Sequence, residues 1–300
     1  MTANQPAALG LDPAEPGYLR QRTLWSDAAR RFRRNRLSMI STFFVVVLIF
    51  MALFANVLAP EGYDDQVYSQ TWQFPSAEHP LGTDPFGREL FTRIIYGARI
   101  SLTIGFVSNF MALLIGLPIG AAAAWYGGKV DYIIMRLIEI INAVPDLLLG
   151  ILIITALGPG FQNVLLVFIF TGWMGTARLV RGQILSLRER DYVMAARCVG
   201  TPDWQIITRH LVPNTLTPII VGVTMGIPGA ILGESALSFL GIGVQAPVPS
   251  WGRMLKDYLP ALQTHWYLVF FPGVMIAITM YAFTLMGDGL QDALDPTATK

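Results

Sequence analysis

The 300-residue chain contains one cysteine, Cys198, and three histidines. A single thiol excludes a disulfide framework within the chain and is typical of a protein kept in a reducing compartment. Neither a histidine nor a second cysteine lies at ligand spacing from Cys198. The sequence therefore predicts no metal site.

Charged residues are scarce, at 14% of the chain, whereas hydrophobic residues make up 53% and the mean hydropathy is +0.51. These values lie outside the range of soluble globular domains and indicate a membrane protein. The 21 basic and 20 acidic residues nearly balance. No excess positive charge remains to neutralise phosphates, so a nucleic-acid partner is not expected.

A phosphate-binding loop of the form G-x-x-x-x-G-K-[ST] is also missing, because the Gly128-Lys129 pair is followed by Val130. A chain without this loop lacks the usual backbone cradle for nucleotide phosphates. We therefore expect no cofactor in this chain and no ATP hydrolysis by it.

What the sequence does contain is long apolar runs. A run of 23 residues would reach roughly 34 Å as a helix, enough to cross a hydrocarbon core of about 30 Å. The first run follows too long a polar tail to be a typical cleaved signal peptide. The sequence predicts an all-α membrane protein with six spans, at residues 37–59, 100–124, 132–157, 161–177, 214–233 and 258–287.

Arginines set the expected orientation. They are concentrated in residues 20–36 and 178–209, which the six spans place on one side, and the positive-inside rule makes that side cytoplasmic. Both termini are then cytoplasmic. The expected division is a cytoplasmic tail, a first span with its external loop, a membrane core, and a second cytoplasmic tail, at residues 1–36, 37–99, 100–288 and 289–300.

A polar segment, "DYVMAARCVGTPDWQIITRHLVPN" at 191–214, interrupts the apolar core inside the predicted cytoplasmic loop 182–213. Helix-compatible residues run from 184 to 199, and Gly200 suits the position just after a helix C-terminus. A second short helix is expected next, with Thr201 as N-cap, Pro202 as its first residue and Asp203 at its positive end.

The second short helix carries an apolar stripe of Trp204, Ile207 and Leu211, and Pro213 is expected to end it. The small residues Ala195, Ala196 and Gly200 would let another surface approach the backbone closely. The alternative is an amphipathic loop that rests on lipid headgroups.

The stretch "YVMAARCVGTPDWQIITRHLVPN" resembles the cytoplasmic EAA motif of ABC-importer permeases. The two alanines, the glycine, the spacing and the final proline match, while Met194 stands where the motif has glutamate and Val212 where it usually has leucine. By this resemblance the segment would couple the chain to an ATPase through nine residues. They are Ala195, Ala196, Gly200, Thr201, Pro202, Asp203, Trp204, Ile207 and Pro213.

Three further stretches resemble the C-type permease subunit of dipeptide and oligopeptide transporters. They are "HPLGTDPFGRELFTRIIYGARISL" (79–102), "ESALSFLGIGVQAPVPSWGRML" (234–255) and "LMGDGLQDALDP" (285–296). The resemblance implies a type I importer fold in the bacterial plasma (inner) membrane. It also implies a homologous permease partner, two ATPases that hydrolyse ATP, an extracytoplasmic substrate-binding protein, and a dipeptide, oligopeptide, nickel chelate or related solute as cargo.

Acidic residues near the predicted spans are candidates for a substrate pathway, because charge inside a membrane usually faces a partner or a cavity. Glu234 and Ser235 follow a stretch interrupted by glycine and proline, and Asp146 follows Pro145. For Glu234, a structural hydrogen bond between helices is the alternative. Glu139 has the simpler interpretation of a local pair with Arg136.

Two other functions are compatible with parts of the sequence. The triplet "GES" at 233–235 loosely resembles a serine nucleophile, but the nearest candidate base, His265, is predicted at the outer end of another span. A secondary transporter or channel is the stronger alternative, although such proteins often have repeated halves, and no repeat is evident here. On the outer side, residues 86–98 predict a helix that lies on the membrane surface and carries a Glu89–Arg93 pair. The alternative is a packed lid that makes no functional contact.

Overall fold

A computed structural model describes residues 24–59 and 61–294. The predicted tails therefore lie partly outside the described residues, at 1–23 and 295–300. Within the described ranges the regular structure is helical, apart from one isolated bridge between Thr83 and Glu89. The α-helices are α1 (Leu24–Arg34), α2 (Arg36–Leu53), α3 (Ala55–Leu58), α4 (Leu90–Tyr126), α5 (Gly128–Asn142), α6 (Asp146–Leu157), α7 (Phe161–Leu187), α8 (Asp191–Cys198), α9 (Asp203–Ile206), α10 (Val212–Phe239), α11 (Trp251–Tyr258) and α12 (Tyr267–Leu294).

The described residues confirm the six predicted spans. Five continuous helical stretches are long and apolar enough to cross a membrane: α2, α4, α7, the run from α9 through α10, and α12. The sixth span is the pair α5 and α6, which is bent by 83° at residues 143–145. Pro145 fixes this break, because a residue before proline is driven out of the helical conformation and proline donates no backbone hydrogen bond.

The outer surface helix predicted at 86–98 is not separate from the following span. It is the beginning of α4, which runs unbroken for 37 residues, about 55 Å. The predicted Glu89–Arg93 pair is also wrong. The Glu89 carboxylate contacts His79, and the Arg93 guanidinium donates to the carbonyl of Tyr63, because loop 61–89 folds back over the start of α4.

Two glycines bring α4 and α7 into backbone contact. A Cβ on Gly116 would lie 2.6 Å from the carbonyl oxygen of Trp173, and one on Gly120 would lie 2.4 Å from that of Ala177. Lipid is as apolar as the helix surfaces, so membrane helices associate through close packing of small residues. This contact makes α4 and α7 the central pair of the bundle.

Loop 61–89 and α11 form a cap at the end of the bundle that is predicted to be external, called the outer cap below, and a buried carboxylate holds this cap. Asp84 is fully buried; its Oδ2 accepts from Nε of Arg88 at 2.7 Å and from the Tyr258 hydroxyl at 2.9 Å. Trp251, also fully buried, donates its indole N–H to the carbonyl of Ile94. The cap is thus joined to α4 through buried polar contacts.

The glycine contact between α4 and α7 predicts opposite effects for two matched substitutions. Gly120→Ala should destabilise the fold by about 1–3 kcal/mol, since the new methyl group collides with backbone. Gly182→Ala, where a Cβ meets nothing within 4 Å, should be neutral or stabilising by up to about 1 kcal/mol, because alanine is the better helix former. Thermal unfolding of each purified variant in detergent measures both, and equal effects would contradict the contact.

Candidate coupling segment and translocation cavity

Residues 191–213, called the coupling segment below, begin with α8, which ends in a left-handed glycine turn. Gly200 has a φ of +79°. Its N–H donates to the carbonyl of Arg197 at 3.0 Å, and the N–H of Thr201 donates to that of Ala196 at 3.1 Å. This hydrogen-bond pair is the Schellman arrangement, so Gly200 occupies the predicted position after the helix C-terminus.

The start of the second short helix is one residue later than predicted. Pro202, not Thr201, is the N-cap of α9, with an extended ψ of 144° and no side-chain capping bond. The backbone N–H of Thr201 belongs to the preceding glycine turn, where it donates to the carbonyl of Ala196. The predicted order of a helix, a turn and a second helix is otherwise present.

The prediction that Pro213 ends the second helix is wrong. Residues Ile207–Leu211 form a π-helical turn, in which the N–H of Val212 donates to the carbonyl of Ile207, and the chain continues into α10. A proline has no N–H and its ring crowds the carbonyl four residues earlier. A wider π turn relieves that crowding, so the helix passes through without breaking.

The coupling segment divides its apolar side chains between the protein interior and solvent. Ile206 and Leu211 are fully buried, whereas Trp204 is 62% exposed and Val199 80% exposed. Of the predicted stripe, Leu211 therefore packs inward, Ile207 is half-buried, and Trp204 projects outward. Four large apolar residues of the segment are therefore exposed, namely Tyr192, Met194, Val199 and Trp204, and exposed apolar groups of this kind are candidates for a protein interface.

The small residues of the motif accompany these exposed apolar residues. Ala195 and Gly200 are exposed, Ala196 is half-buried, and a Cβ on Gly200 would meet nothing within 4 Å. Inside this chain the glycine is thus required by its backbone conformation and not by crowding. Pro202 and Asp203 are exposed beside it, and Pro213 is exposed farther along.

Arginine contacts tie the coupling segment to the central helices. The guanidinium of Arg197 lies over the ring of Trp125, 4.2 Å from its centroid, and Nη1 of Arg188 donates to the carbonyl of Ala124 at 2.8 Å. Both contacts reach the last turn of α4. The side chain of Arg181 in α7 donates twice to the carboxylate of Asp131 in α5. The segment and the end of α7 that precedes it are therefore linked to the end of α4, and α7 is linked to α5.

A cavity of about 640 Å³ lies between α4, α6, α7 and α10. Apolar residues and glycines form most of its wall. A Cβ added at Gly175 or Gly229 would meet no atom within 4 Å, so packing inside the chain does not require glycine at these two positions. The polar wall residues are Ser108, Asn109, Asn142, Asp146, Thr171, Thr176 and Arg178. A largely apolar cavity with a few polar groups is typical of a ligand pathway.

Two opposite charges face this cavity. Asp146 starts α6 and Arg178 lies in α7; both are exposed in the isolated chain, and neither makes an ion pair within residues 26–59 and 61–294. The positive end of α6 stabilises the carboxylate of Asp146. A charge in a membrane bundle is costly unless it faces water, a partner or cargo, so these two side chains are the candidate contacts for a charged solute.

Glu234 and Ser235 lie elsewhere. Both are buried, and neither lines the 640 Å³ cavity. The Glu234 carboxylate accepts from Ser238 at 2.8 Å and from Ser101 of α4 at 3.2 Å, while Ser235 lies beside it at 3.4 Å. The hydroxyl of Ser238 in turn accepts from the N–H of Val244. This placement favours the structural alternative, in which Glu234 joins α10 to α4.

The outer cap contains a second buried carboxylate. Glu89 is 5% exposed, its Oε2 lies 2.7 Å from Nδ1 of His79, and its Oε1 has no hydrogen-bond partner among the described residues. Burial raises the pKa of the Glu89 carboxyl, and the bond with His79 offsets this only in part.

Comparison with known proteins agrees with this architecture. The family model described as binding-protein-dependent transport system inner membrane component matches residues 116–300. That range is more than half of the chain. The chain belongs to this family. A second model, the N-terminal transmembrane domain of oligopeptide transport permease C, matches residues 23–75.

Curated relatives extend the match over most of the sequence. The dipeptide transport system permease protein of Bacillus subtilis is 45% identical over 271 residues, covering 90% of this chain and 85% of that protein. The oligopeptide transport system permease protein of the same organism is 41% identical and covers 99% of this chain and 97% of its own length. A glutathione transport system permease protein of Pectobacterium atrosepticum is 39% identical, with 92% of each chain covered.

Among solved structures, an inward-facing form of the MetNI methionine ABC transporter has a TM-score of 0.59 at 18% identity, covering 69% of this chain and 98% of that chain. This likeness establishes the fold of the family, an ABC importer transmembrane domain. It confirms the predicted fold class. The family shown by the sequence matches is one of binding-protein-dependent transport permeases, which favours the importer over a secondary transporter or channel.

The sequence predicts no site role for several residues that the structure places at the cavity or beside the coupling segment. Arg178 and Asn142 reach the cavity, yet in the sequence Arg178 counts only toward cytoplasmic positive charge. The Asp131–Arg181 contact joins residues 50 positions apart, and no periodic pattern connects them. Helix α1 was also missed, although Trp25, Ala28, Ala29 and Phe32 recur at helical spacing among arginines.

The raised pKa of Glu89 predicts a pH-dependent stability. A carboxyl whose pKa is higher in the folded state than in the unfolded state stabilises the fold while it is protonated. This contribution is fully present at a pH below the pKa of the unfolded state, about 4.3. It is lost as the pH rises through the pKa of the folded state. The wild type should therefore lose stability relative to Glu89→Gln as the pH is raised from about 4 toward neutrality. Melting temperatures of both proteins across this range measure the difference.

The same comparison in a His79→Gln background separates the contribution of the carboxyl from that of its partner. A wild-type-minus-variant difference that stays constant with pH in both backgrounds would contradict the buried state of Glu89.

Proposed function

We propose that this chain is one of two homologous permease subunits that form the pathway of a peptide importer, driven by ATP hydrolysis on two partner ATPases. The cargo class is dipeptides or oligopeptides, delivered by an extracytoplasmic binding protein. The observation that carries the proposal is the chain connection between the coupling segment and the cavity. The segment that contains the exposed Trp204 joins α7 to α10 in the chain, and both helices line the 640 Å³ cavity.

The proposed setting follows the arginine pattern and the names of the relatives. The chain crosses the bacterial plasma membrane with both termini cytoplasmic, the coupling segment meets an ATPase, and the cap formed by loop 61–89 and α11 faces the binding protein. The core spans 100–288, with tails at 1–36 and 289–300. We expect no nucleotide, cofactor or metal in this chain and no nucleic acid among its partners, since the sequence has no phosphate-binding loop, no ligand spacing around Cys198 and no excess of positive charge.

A lever role for the coupling segment is supported by its contacts. The segment contacts α4 through Arg197, and Arg188, just before the segment, contacts the same turn of α4. At its other end the segment runs through the π turn directly into α10. A displacement at Trp204 therefore reaches the cavity wall through continuous helix. Aromatic residues that anchor interfaces often contribute 2 kcal/mol or more to binding.

Trp204→Ala should weaken ATPase binding by about thirtyfold, which corresponds to about 2 kcal/mol. Insertion and pairing with the companion permease should remain normal. The matched control is Trp266→Ala, which removes a tryptophan that is 51% exposed at the opposite end of the bundle. ATPase subunits retained on purification and ATP-dependent peptide uptake into proteoliposomes are the measurements; normal values for Trp204→Ala would show that coupling occurs elsewhere.

The Gly200 turn allows a graded test of the same surface. The positive φ is tolerated by asparagine, less by alanine and least by valine, at a cost of about 1–3 kcal/mol for an unsuitable residue. ATPase retention should therefore fall in the order Gly200→Asn, Gly200→Ala, Gly200→Val. Equal retention in all three would mean that the turn geometry is irrelevant to coupling.

Substitutions of the two cavity charges should change transport, whereas substitution of the buried Glu234 should change stability. Asp146→Asn and Arg178→Gln should each lower peptide uptake severalfold while leaving the assembled complex intact, because neither side chain makes an ion pair within the bundle. Glu234→Gln should instead lower the melting temperature, since it alters a buried hydrogen-bonded carboxylate. The assay pairs uptake with thermal unfolding. Full uptake by both cavity variants, or reduced uptake by a normally stable Glu234→Gln, would reverse the assignment.

A further inference from the structure

An apolar groove with a volume of about 360 Å³ lies between α1, the start of α2 and the end of α12. Its wall has seven apolar residues and one arginine: Ala28, Ala29, Phe32, Arg33, Met39, Leu290, Ala293 and Leu294. The groove shares no residue with the translocation cavity. It lies at the end of the bundle that is predicted to be cytoplasmic.

The groove exists because α12 contacts α2 closely at one point and then separates from α1. A Cβ on Gly289 would lie 1.8 Å from Oγ of Ser38, so no side chain fits between the two helices there. Asn35 caps α2 by accepting from the N–H groups of Leu37 and Ser38, which fixes the corner between α1 and α2. One turn beyond Gly289, small residues on both sides, Ala29 and Ala293, leave the space open.

Positive charge surrounds this opening. Helix α1 and the first residue of α2 carry Arg30, Arg31, Arg33, Arg34 and Arg36 within seven positions. Arg30 has a partner in Asp27, at 3.4 Å. Arg33, Arg34 and Arg36 make no ion pair or side-chain hydrogen bond with the described residues, and all three are exposed. The only basic residue that lines the groove is Arg33.

The groove also lies at the boundary of the membrane. The apolar span of α2 starts at Arg36, and just beyond it Leu37 is 58% and Ile40 65% exposed, as expected for side chains that face lipid. Basic amphipathic helices with this arrangement lie at the headgroup level, where anionic lipids attract arginine. The arginine-rich mouth is therefore at headgroup depth, and the apolar wall is next to it.

We propose that this groove binds an anionic phospholipid of the cytoplasmic leaflet. One acyl chain lies against Phe32, Met39 and Leu290, and the phosphate is held by Arg33 with Arg36 nearby. Charge complementarity selects the headgroup, because three unpaired arginines favour a net negative lipid over a zwitterionic one. The apolar wall makes this a defined site and not only a charged surface, since free phosphate would leave the groove unfilled.

The test uses the whole importer complex, purified and exchanged into bilayer discs that contain equal amounts of phosphatidylglycerol and phosphatidylethanolamine. Lipid that remains on the complex after detergent extraction is quantified by mass spectrometry. The wild type should retain phosphatidylglycerol in preference. Arg33→Gln should lower that retention about fivefold, because it removes the arginine that lines the groove and holds the phosphate.

Two comparisons separate a site from diffuse attraction. Arg34→Gln removes the same charge from the same helix but does not line the groove, so it should change retention less than twofold. Ala29→Phe keeps every charge and fills the groove from an exposed position, so it should abolish preferential retention. Excess inorganic phosphate should not displace the lipid from the wild type.

Other results would overturn the proposal. Equal losses in Arg33→Gln and Arg34→Gln, together with normal retention in Ala29→Phe, would indicate general surface charge. Equal retention of the two lipids by the wild type, or displacement by phosphate, would remove the anionic lipid as occupant. If Ala29→Phe lowers complex assembly instead of lipid retention, the groove is a contact with another subunit.

Discussion

The architecture depends on the backbone contact between α4 and α7. A helix in lipid gains nothing from hiding apolar side chains, so its position must come from close packing and polar contacts. Gly116 and Gly120 permit that packing by removing the side chains that would keep the two backbones apart. With these helices fixed, the Arg181–Asp131 contact sets the place of α5, and the contacts of Arg188 and Arg197 set the place of the coupling segment.

The cavity and the proposed coupling segment are connected directly in the chain by α7 on one side and α10 on the other. Helix α7 contributes Thr171, Gly175 and Arg178 to the cavity wall and then leads into the coupling segment. On the other side, the π turn at Ile207–Leu211 carries the chain into α10 without a hinge, although Pro213 is present. A break at that proline would have separated the exposed Trp204 from the cavity. Keeping the helix continuous lets a force on the short helix act on Gly226 and Gly229.

Features that depend on neighbouring residues could be predicted from the sequence, whereas features that depend on distant contacts could not. Apolar runs are local, so the six spans were predictable, and the Gly200 turn was equally predictable because a left-handed position strongly favours glycine. Errors arose where a distant partner overrides local spacing. Glu89 and Arg93 have ion-pair spacing, yet each turns to loop 61–89. Sequence showed that Glu234 is an unusual intramembrane acid, but only the packing of Ser101 and Ser238 around it distinguishes a helix contact from a cavity wall.

Carboxylates that have hydrogen-bond or ionic partners inside the chain hold helices together, whereas charged groups that lack such partners are the candidates for contact with cargo. Asp84 is buried with Arg88 and Tyr258 around it, and Glu234 is buried among serines, so these carboxylates are satisfied within the chain. Breaking such a buried arrangement is costly, which makes both suitable for holding helices and unsuitable for exchanging contacts with cargo. Asp146 and Arg178 have the opposite surroundings, since they face an open cavity and lack an ionic partner among residues 26–59 and 61–294. A permease must release what it binds, and groups without a fixed partner inside the chain can do so; this physical requirement makes Asp146 and Arg178 the candidate contacts for cargo.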